Sequence, residues 1–309
     1  MGWLMRTITG PLEISRFLQS TFNILLMSRL PKFITRGYIF ALGRLFFGCK
    51  PRLKDRIGDH LSAALVQGLV NSPTATLHQT LQGILAHYYE KLFVAFFNFR
   101  KVCRFLRQRV AIERCELLTQ ALAQGRGVIL ITGHYGAVEF LPLILALRGY
   151  PVTMLLRYKT RKLKESLTQR SKNVGIDLVD VDEGQRVIFK ALKALKANRI
   201  LITECDEFER WCTDKRKRVT FLGASLPQDR SLDMLQKRSN APAVLGLVHR
   251  QVDERYHLHL HALDAKVSET RHSSISQQAL AILEQYIETA PHQWYQWKEA
   301  DFILANAVS

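Results

Sequence analysis

Apolar side chains recur along the first hundred residues at intervals of three and four, the repeat of one face of an α-helix. Over 77–96, Leu77, Leu81, Ile84, Leu85, Tyr88, Leu92, Phe93 and Phe96 fall on such a face, and Thr74, just after Pro73, is positioned to cap its start. Residues 12–47 predict two further apolar helices broken at Pro31, and 53–70 predict another. Residues 100–109 hold five basic side chains and no acid, with Arg100, Arg104 and Arg107 on one helical face. Nothing before residue 110 has the look of a strand, so 1–110 is expected to be a helical region.

The pattern changes at Gly125-Arg126-Gly127. The run GVILIT (127–132) is short, apolar and rich in β-branched residues, which marks a buried strand. Strands are predicted again at 152–156, 176–181 and 199–203, and helices at 137–147, 161–174 and 185–197. In the last of these Val187, Ile188, Ala191, Leu192 and Leu195 face inward while Lys190, Lys193 and Lys196 face out. Strands alternating with helices build a parallel sheet. A helix at 230–239, strands near 241–249 and 256–264 and a helix at 274–289 complete the chain; the two late strands suit an antiparallel edge. The expected fold is therefore α/β, a mostly parallel mixed sheet flanked by helices over 111–309, behind a helical region over 1–110.

Charge changes the picture. With 44 Lys and Arg against 27 Asp and Glu, the 309-residue chain carries a formal +17. Its 47% hydrophobic content excludes a disordered chain, so the charge speaks of partners: nucleic acid, an anionic membrane face, or an acidic protein. No stretch reaches the roughly 18 apolar residues of a membrane span. The first 60 residues hold ten basic side chains against three acidic ones, around the apolar stretches 17–28 and 33–47. That combination suits helices lying on an anionic leaflet, with burial in the core as the alternative. No nucleic-acid-binding module is recognisable, and no nucleic-acid partner is expected. Five cysteines without a C-x-x-C pair argue against a disulfide framework or a zinc ribbon and suit a reducing, cytoplasm-facing location. The N-terminus has no small-residue cleavage site, so no removable leader is expected.

The sharpest chemical feature is Thr132-Gly133-His134-Tyr135-Gly136-Ala137-Val138-Glu139, where a buried strand ends and a helix begins. In open α/β sheets, sites form beyond the carboxyl ends of strands. His134 there is a candidate general base, and Glu139 a candidate support for its imidazole should the loop turn back far enough. Arg157 ends another strand and suits an anion; Glu204 and Asp206 follow a third, positioned to hold His134, to bind acceptor hydroxyls or to pair with Arg157. The stretch has neither the G-x-G-x-x-G nor the G-K-[ST] spacing of a nucleotide loop, and no G-x-S-x-G elbow occurs. The run Lys215-Arg216-Lys217-Arg218 reads as a solvated loop or a contact for lipid phosphates or an acidic carrier. His257, His259 and His261 share one strand face but have no obvious carboxylate partner, and no metal is expected. Trp294, Tyr295 and Trp297 suit either a membrane interface or a cap on the core.

His134 and Glu139 after GVILIT resemble the H-x4-D/E motif of glycerolipid acyltransferases. A longer match is to the lipid A biosynthesis acyltransferases of the late, lauroyl/myristoyl type. It runs through LLMSRLPKFITRGYIFALGRLFF (25–47), the strand ending in Arg157, ALKALKANRILITECD (191–206), VTFLGASL (219–226) and APHQWYQWK (290–298). Glu204-Cys205-Asp206 and Gln296-Trp297-Lys298 depart from the usual residues at their positions. The resemblance implies an O-acyltransferase on the cytoplasmic face of the inner membrane, without cofactor. It would move an acyl chain from a thioester, on acyl carrier protein or coenzyme A, to a hydroxyl of lipid A or a related glycolipid. His134 would be the base, Glu139 its support, and Arg157, Glu204 and Asp206 substrate contacts. A glycerophospholipid acceptor, or an inactive peripheral membrane-binding protein, are the alternatives.

Overall fold

The computed structural model describes residues 17–71, 76–184, 186–207, 213–264 and 274–306. Its helical start follows the expected breaks. Helix α1 (Thr21–Arg29) is capped by the Ser20 side chain, which accepts from the Asn23 amide. Leu30 is extended, as the residue before a proline prefers, and α2 (Lys32–Gly48) begins after Pro31. Helix α3 (Pro51–Val66) opens on a proline. Helix α4 (Leu77–Phe96) is capped by Thr76, while Thr74 lies outside the described residues. Helix α4 is buried on most of its surface, because α2 and later elements pack around it. Helix α5 (Phe99–Arg109) buries Val102, Cys103 and Leu106 and turns Arg100, Arg104 and Arg107 to solvent.

Seven strands form one mixed sheet in the order β1-β9-β8-β2-β5-β3-β4. They are β1 (Val110–Glu113), β2 (Val128–Thr132), β3 (Val152–Leu156), β4 (Asp177–Asp180), β5 (Ile200–Glu204), β8 (Ala243–Arg250) and β9 (Tyr256–Leu263). Only the β8–β9 pairing is antiparallel. Helices α6 (Glu116–Leu122), α7 (Leu141–Ala146), α8 (Arg161–Lys172), α9 (Arg186–Lys196), α10 (Ser231–Ser239) and α11 (Ile275–Thr289) flank it, and α12 (Asp301–Asn306) closes the chain against α3. Strand β2 is buried at all five positions, which is why its sequence shows no alternation. One continuous apolar core runs from Leu18 to Ile303, across the expected boundary at 110.

Three details depart from the expectations. Strand β1 starts where the helical region was expected to end, and it pairs parallel with β9, so the antiparallel strand β9 is internal and β1 is the edge. A second sheet, the hairpin β6 (Thr213–Phe221) and β7 (Ala224–Asp229), was not anticipated. Its turn places Leu222 at φ 46° and Gly223 at φ 71°, the two positive angles of a tight hairpin, but with leucine where Asn or Asp would have announced it. The helix expected over 137–147 is instead a 3-10 turn (Val138–Phe140) followed by α7, since Pro142 has no amide to continue a single helix. Of the two placements open to Trp294, Tyr295 and Trp297, the structure takes the cap on the core, with all three buried. Among the described residues no helix is long and apolar enough to cross a membrane.

The segment 291–293 packs on α4 so closely that a Cβ on Gly83 would lie 1.7 Å from the His292 carbonyl oxygen. Gly58, inside α3, meets nothing nearer than a Leu77 methyl at 3.5 Å. Gly83→Ala is therefore expected to destabilise by about 1–3 kcal/mol and lower the unfolding temperature by several degrees. Gly58→Ala is expected to stabilise by up to about 1 kcal/mol, through helix propensity alone. Thermal denaturation of the two variants checks the contrast; shifts of the same sign would refute the packing argument.

Candidate active site

The ladder between β2 and β5 sets Thr132 beside Glu204. The residues two further along each chain, His134 and Asp206, therefore leave the sheet side by side. The His134 Nδ1 lies 2.8 Å from Asp206 Oδ1, and the His134 amide donates to Asp206 Oδ2 at 3.0 Å. The indole of Trp294 donates to Asp206 Oδ2 at 2.9 Å. Three donors thus satisfy one carboxylate whose side chain is fully buried. With Nδ1 facing a carboxylate, the neutral imidazole carries its proton there and keeps the Nε2 lone pair for chemistry.

The loop that carries His134 is fixed on all sides. The amides of Tyr135, Gly136 and Ala137 donate to the carbonyls of Gly133, Gln293 and Val248 at 2.7, 2.9 and 2.8 Å. Gly136 sits at φ +56°, and a Cβ there would lie 1.9 Å from the Val248 carbonyl oxygen, so glycine is required on both counts. The carbonyl of Gly136 accepts from Arg250, whose guanidinium forks onto the buried Glu90 of α4 at 2.7 and 2.9 Å. The Tyr295 amide donates to the His134 carbonyl at 3.1 Å. The C-terminal segment is thereby part of the site.

On its other side His134 meets acid. Nε2 is 3.4 Å from Glu204 Oε2 and 3.8 Å from Glu207 Oε1. Burial alone would lower the imidazole's pKa, but the charges of Glu204, Asp206 and Glu207 outweigh it and push it up to about 9. Burial raises Glu204 to about 7, with the nearby carboxylates adding to the rise and His134 opposing it. Asp206 is held below its ordinary value: burial works the other way, but the His134 charge and the bonds from His134 and Trp294 prevail.

Glu139 does not reach His134. Its Oε1 lies 2.8 Å from Lys91 Nζ and 3.5 Å from His87 Nε2, both on one face of α4. His87 is kept neutral by its burial and by the nearby charges of Lys91 and Arg250. Its ring stacks on Tyr295 at 3.5 Å, and Tyr295 meets His134 edge-on at 4.8 Å. Arg157 pairs with Asp182 at 2.8 Å. His134, Glu139, Arg157 and Glu204 nevertheless line one cavity of about 540 Å³. Its lining combines cations, Lys50, Arg56, Lys91 and Lys298, with an apolar set, Leu143, Met154, Leu163, Leu167, Val174 and Ile176. Asp206 stands behind His134, outside the lining. Lys91, His87, Glu207 and Trp294 also stand at this site; in the sequence only the four-residue spacing of His87 and Lys91 on a buried helix marks any of them.

Two clusters among the described residues bring three ligand-type atoms within 4.8 Å of one another: His134, Glu204 and Glu207, and Glu113, His257 and His259. In the first, Nε2 is the nitrogen left over by Asp206, so an ion there would occupy the proton acceptor.

A buried histidine–carboxylate pair beyond a parallel sheet, beside a cavity lined by both apolar and cationic side chains, is an arrangement suited to proton abstraction next to a hydrocarbon ligand. The chain matches the family model for bacterial lipid A biosynthesis acyltransferases over residues 13–299, and it belongs to that family. The family is one of acyltransferases acting on lipid A-type acceptors. No curated protein matches the chain in a sequence search.

Glu204→Gln removes one of the charges that keep the proton on His134. The imidazole midpoint is expected to fall from about 9 by a unit or more. A pH titration by ¹⁵N-imidazole NMR reads this directly, without any substrate. A midpoint that does not move would contradict the assigned electrostatics.

Proposed function

We propose that the protein transfers a fatty acyl chain from a thioester to a hydroxyl of lipid A or a closely related glycolipid. The observation that carries this is the His134–Asp206 pair beside a cavity whose lining joins apolar and cationic side chains. The acyl chain lies along Leu143, Leu163, Leu167 and Ile176; the lining lysines and Arg56 receive the acceptor's phosphates or those of the donor's arm. His134 Nε2 removes the proton of the acceptor hydroxyl as its oxygen attacks the thioester carbonyl carbon. Asp206 stabilises the imidazolium. The tetrahedral adduct then expels the thiolate, which takes the proton back from His134 and leaves as the free thiol, with the acyl ester formed.

The oxyanion needs a positive partner. Because the amides of residues 135–137 are already bonded, that partner is a side chain: Lys91, which feels the charge of Glu204, and Arg157, which follows β3, are the cavity cations assigned to it. Glu204 and Glu207, facing Nε2, suit the hydroxyls of a sugar. An acidic carrier protein is the favoured donor, given the +17 charge and the exposed Arg100, Arg104 and Arg107 along a shallow groove on α5. Work at the cytoplasmic face of the inner membrane is supported by Phe22 and Phe33, exposed at 67% and 76% on α1 and α2 beside Arg29 and Arg36.

His134→Ala is expected to abolish transfer, by at least about a thousandfold, while thermal unfolding stays near wild type. The assay is mass spectrometry of lipid products from purified protein, with acyl carrier protein and coenzyme A thioesters offered in parallel. Wild-type turnover by the variant would overturn the mechanism; product on a glycerophospholipid alone would move the acceptor, and no thioester consumption at all would favour a binding protein. Phe22→Asp with Phe33→Asp is expected to weaken partition to anionic vesicles at least about tenfold, each buried phenyl ring being worth about 1.5–3 kcal/mol. Unchanged co-sedimentation would remove this face from the membrane.

A further inference from the structure

The histidines of β9 acquire in three dimensions the carboxylate that the sequence did not offer. His257 and His259 lie two apart on one strand, so their side chains leave the same face of the sheet. Strand β1 runs parallel beside them, in a register that sets Glu113 opposite His259. The two oxygens of Glu113 meet the two imidazoles separately, Oε1 at 3.0 Å from His257 Nδ1 and Oε2 at 2.9 Å from His259 Nδ1. His259 is further held between aromatic rings, with Tyr286 at 5.7 Å and His249 at 6.1 Å. The third histidine of the alternation, His261, is turned to the Tyr286 hydroxyl at 2.9 Å and belongs to no such set.

We propose that Glu113, His257 and His259 form a zinc site on the sheet face, separate from the cavity that holds His134. Zinc takes nitrogen and carboxylate ligands at about 2.0–2.2 Å, so neighbouring ligands of a tetrahedral ion stand about 3.3 Å apart. The nitrogen-to-oxygen separations already approach that edge, and all three ligand atoms fall within 4.8 Å. Binding requires each neutral ring to move its proton from Nδ1 to Nε2 and present the Nδ1 lone pair. One Glu113 oxygen completes three protein ligands and water takes the fourth position. The side chains of His257, His259 and Glu113 are 33%, 22% and 50% exposed, so an ion can enter without unfolding. Two of the ligands sit on a central strand and the third on the edge strand that leads out of the helical region, so the ion would clamp β1 to β9. The strong positive charge of the chain works against cation binding.

The test uses the full-length protein in detergent, freed of metal by a chelator and titrated with zinc chloride. One zinc per chain is expected at this site, together with a rise in unfolding temperature of about 2 °C or more at saturation. Cobalt in its place is expected to give the visible absorption of a tetrahedral ion. Glu113→Gln, which keeps volume and hydrogen bonding, and His259→Asn should each weaken zinc binding at least about tenfold and abolish the cobalt band, with circular dichroism unchanged. His261→Asn and Glu204→Gln should leave both readouts in place. No zinc binding, or binding that survives Glu113→Gln and His259→Asn, would overturn the proposal; loss on Glu204→Gln would put the ion at the cavity instead.

Discussion

One buried carboxylate organises this protein. Asp206 accepts from the amide and imidazole of His134 and from the indole of Trp294, and so joins the end of β5, the end of β2 and the C-terminal segment. A buried ionised group is tolerable only when its hydrogen-bonding capacity is used, because its hydration has been given up. Here the partners come from residues 72 and 88 positions away in the chain. The carboxylate therefore forms as intended only when the sheet, the loop after β2 and the C-terminal segment are all in register. The geometry of the site and the folding of the chain are the same constraint at this point. The close approach of His292 to Gly83 and the fork of Arg250 onto Glu90 hold the surrounding parts to α4.

The cavity combines two kinds of physics. Its apolar lining offers hydrocarbon contacts that are non-directional and scale with buried area. Around the His134 imidazole, buried carboxylates gather where weak screening makes each charge count. Burial raises Glu204 above the ordinary carboxylate range while its charge raises His134, so changes in the surroundings of one alter the proton affinity of the other. Hydroxyl groups that donate hydrogen bonds to these carboxylates would relax their hold on the imidazole proton. Desolvation and acceptor binding are thus coupled to the base's readiness.

Much of this was legible from the chain. Strands β2, β3 and β5 and helices α8 to α11 follow from local hydrophobic pattern, and their ends fall within a residue or two of the expected ones, because a strand buried on both faces and an amphipathic helix are both written in nearest neighbours. Strand β1 was not legible: four residues at the end of a basic helix carry no period of their own, and their strand character comes from pairing with β9. The β6–β7 turn hid behind Leu222, which takes a positive φ that leucine seldom adopts. At the site, His134 was marked by its position after a buried strand. Its partner was not fixed by the H-x4-E spacing, since the 3-10 turn at 138–140 directs Glu139 toward Lys91 and away from the imidazole. Asp206 stood among several readings of the loop after β5, and only the β2–β5 register selects it as the support.

The central claim is that Asp206, and not Glu139, orients the base. The direct measurement is the acyl-transfer rate of Asp206→Asn and Glu139→Gln side by side, on one donor and one acceptor. The account predicts a loss of about a thousandfold or more for Asp206→Asn, since the amide leaves the imidazole with the wrong tautomer, and a loss at least about tenfold smaller for Glu139→Gln. Equal losses, or a larger one at Glu139, would contradict it.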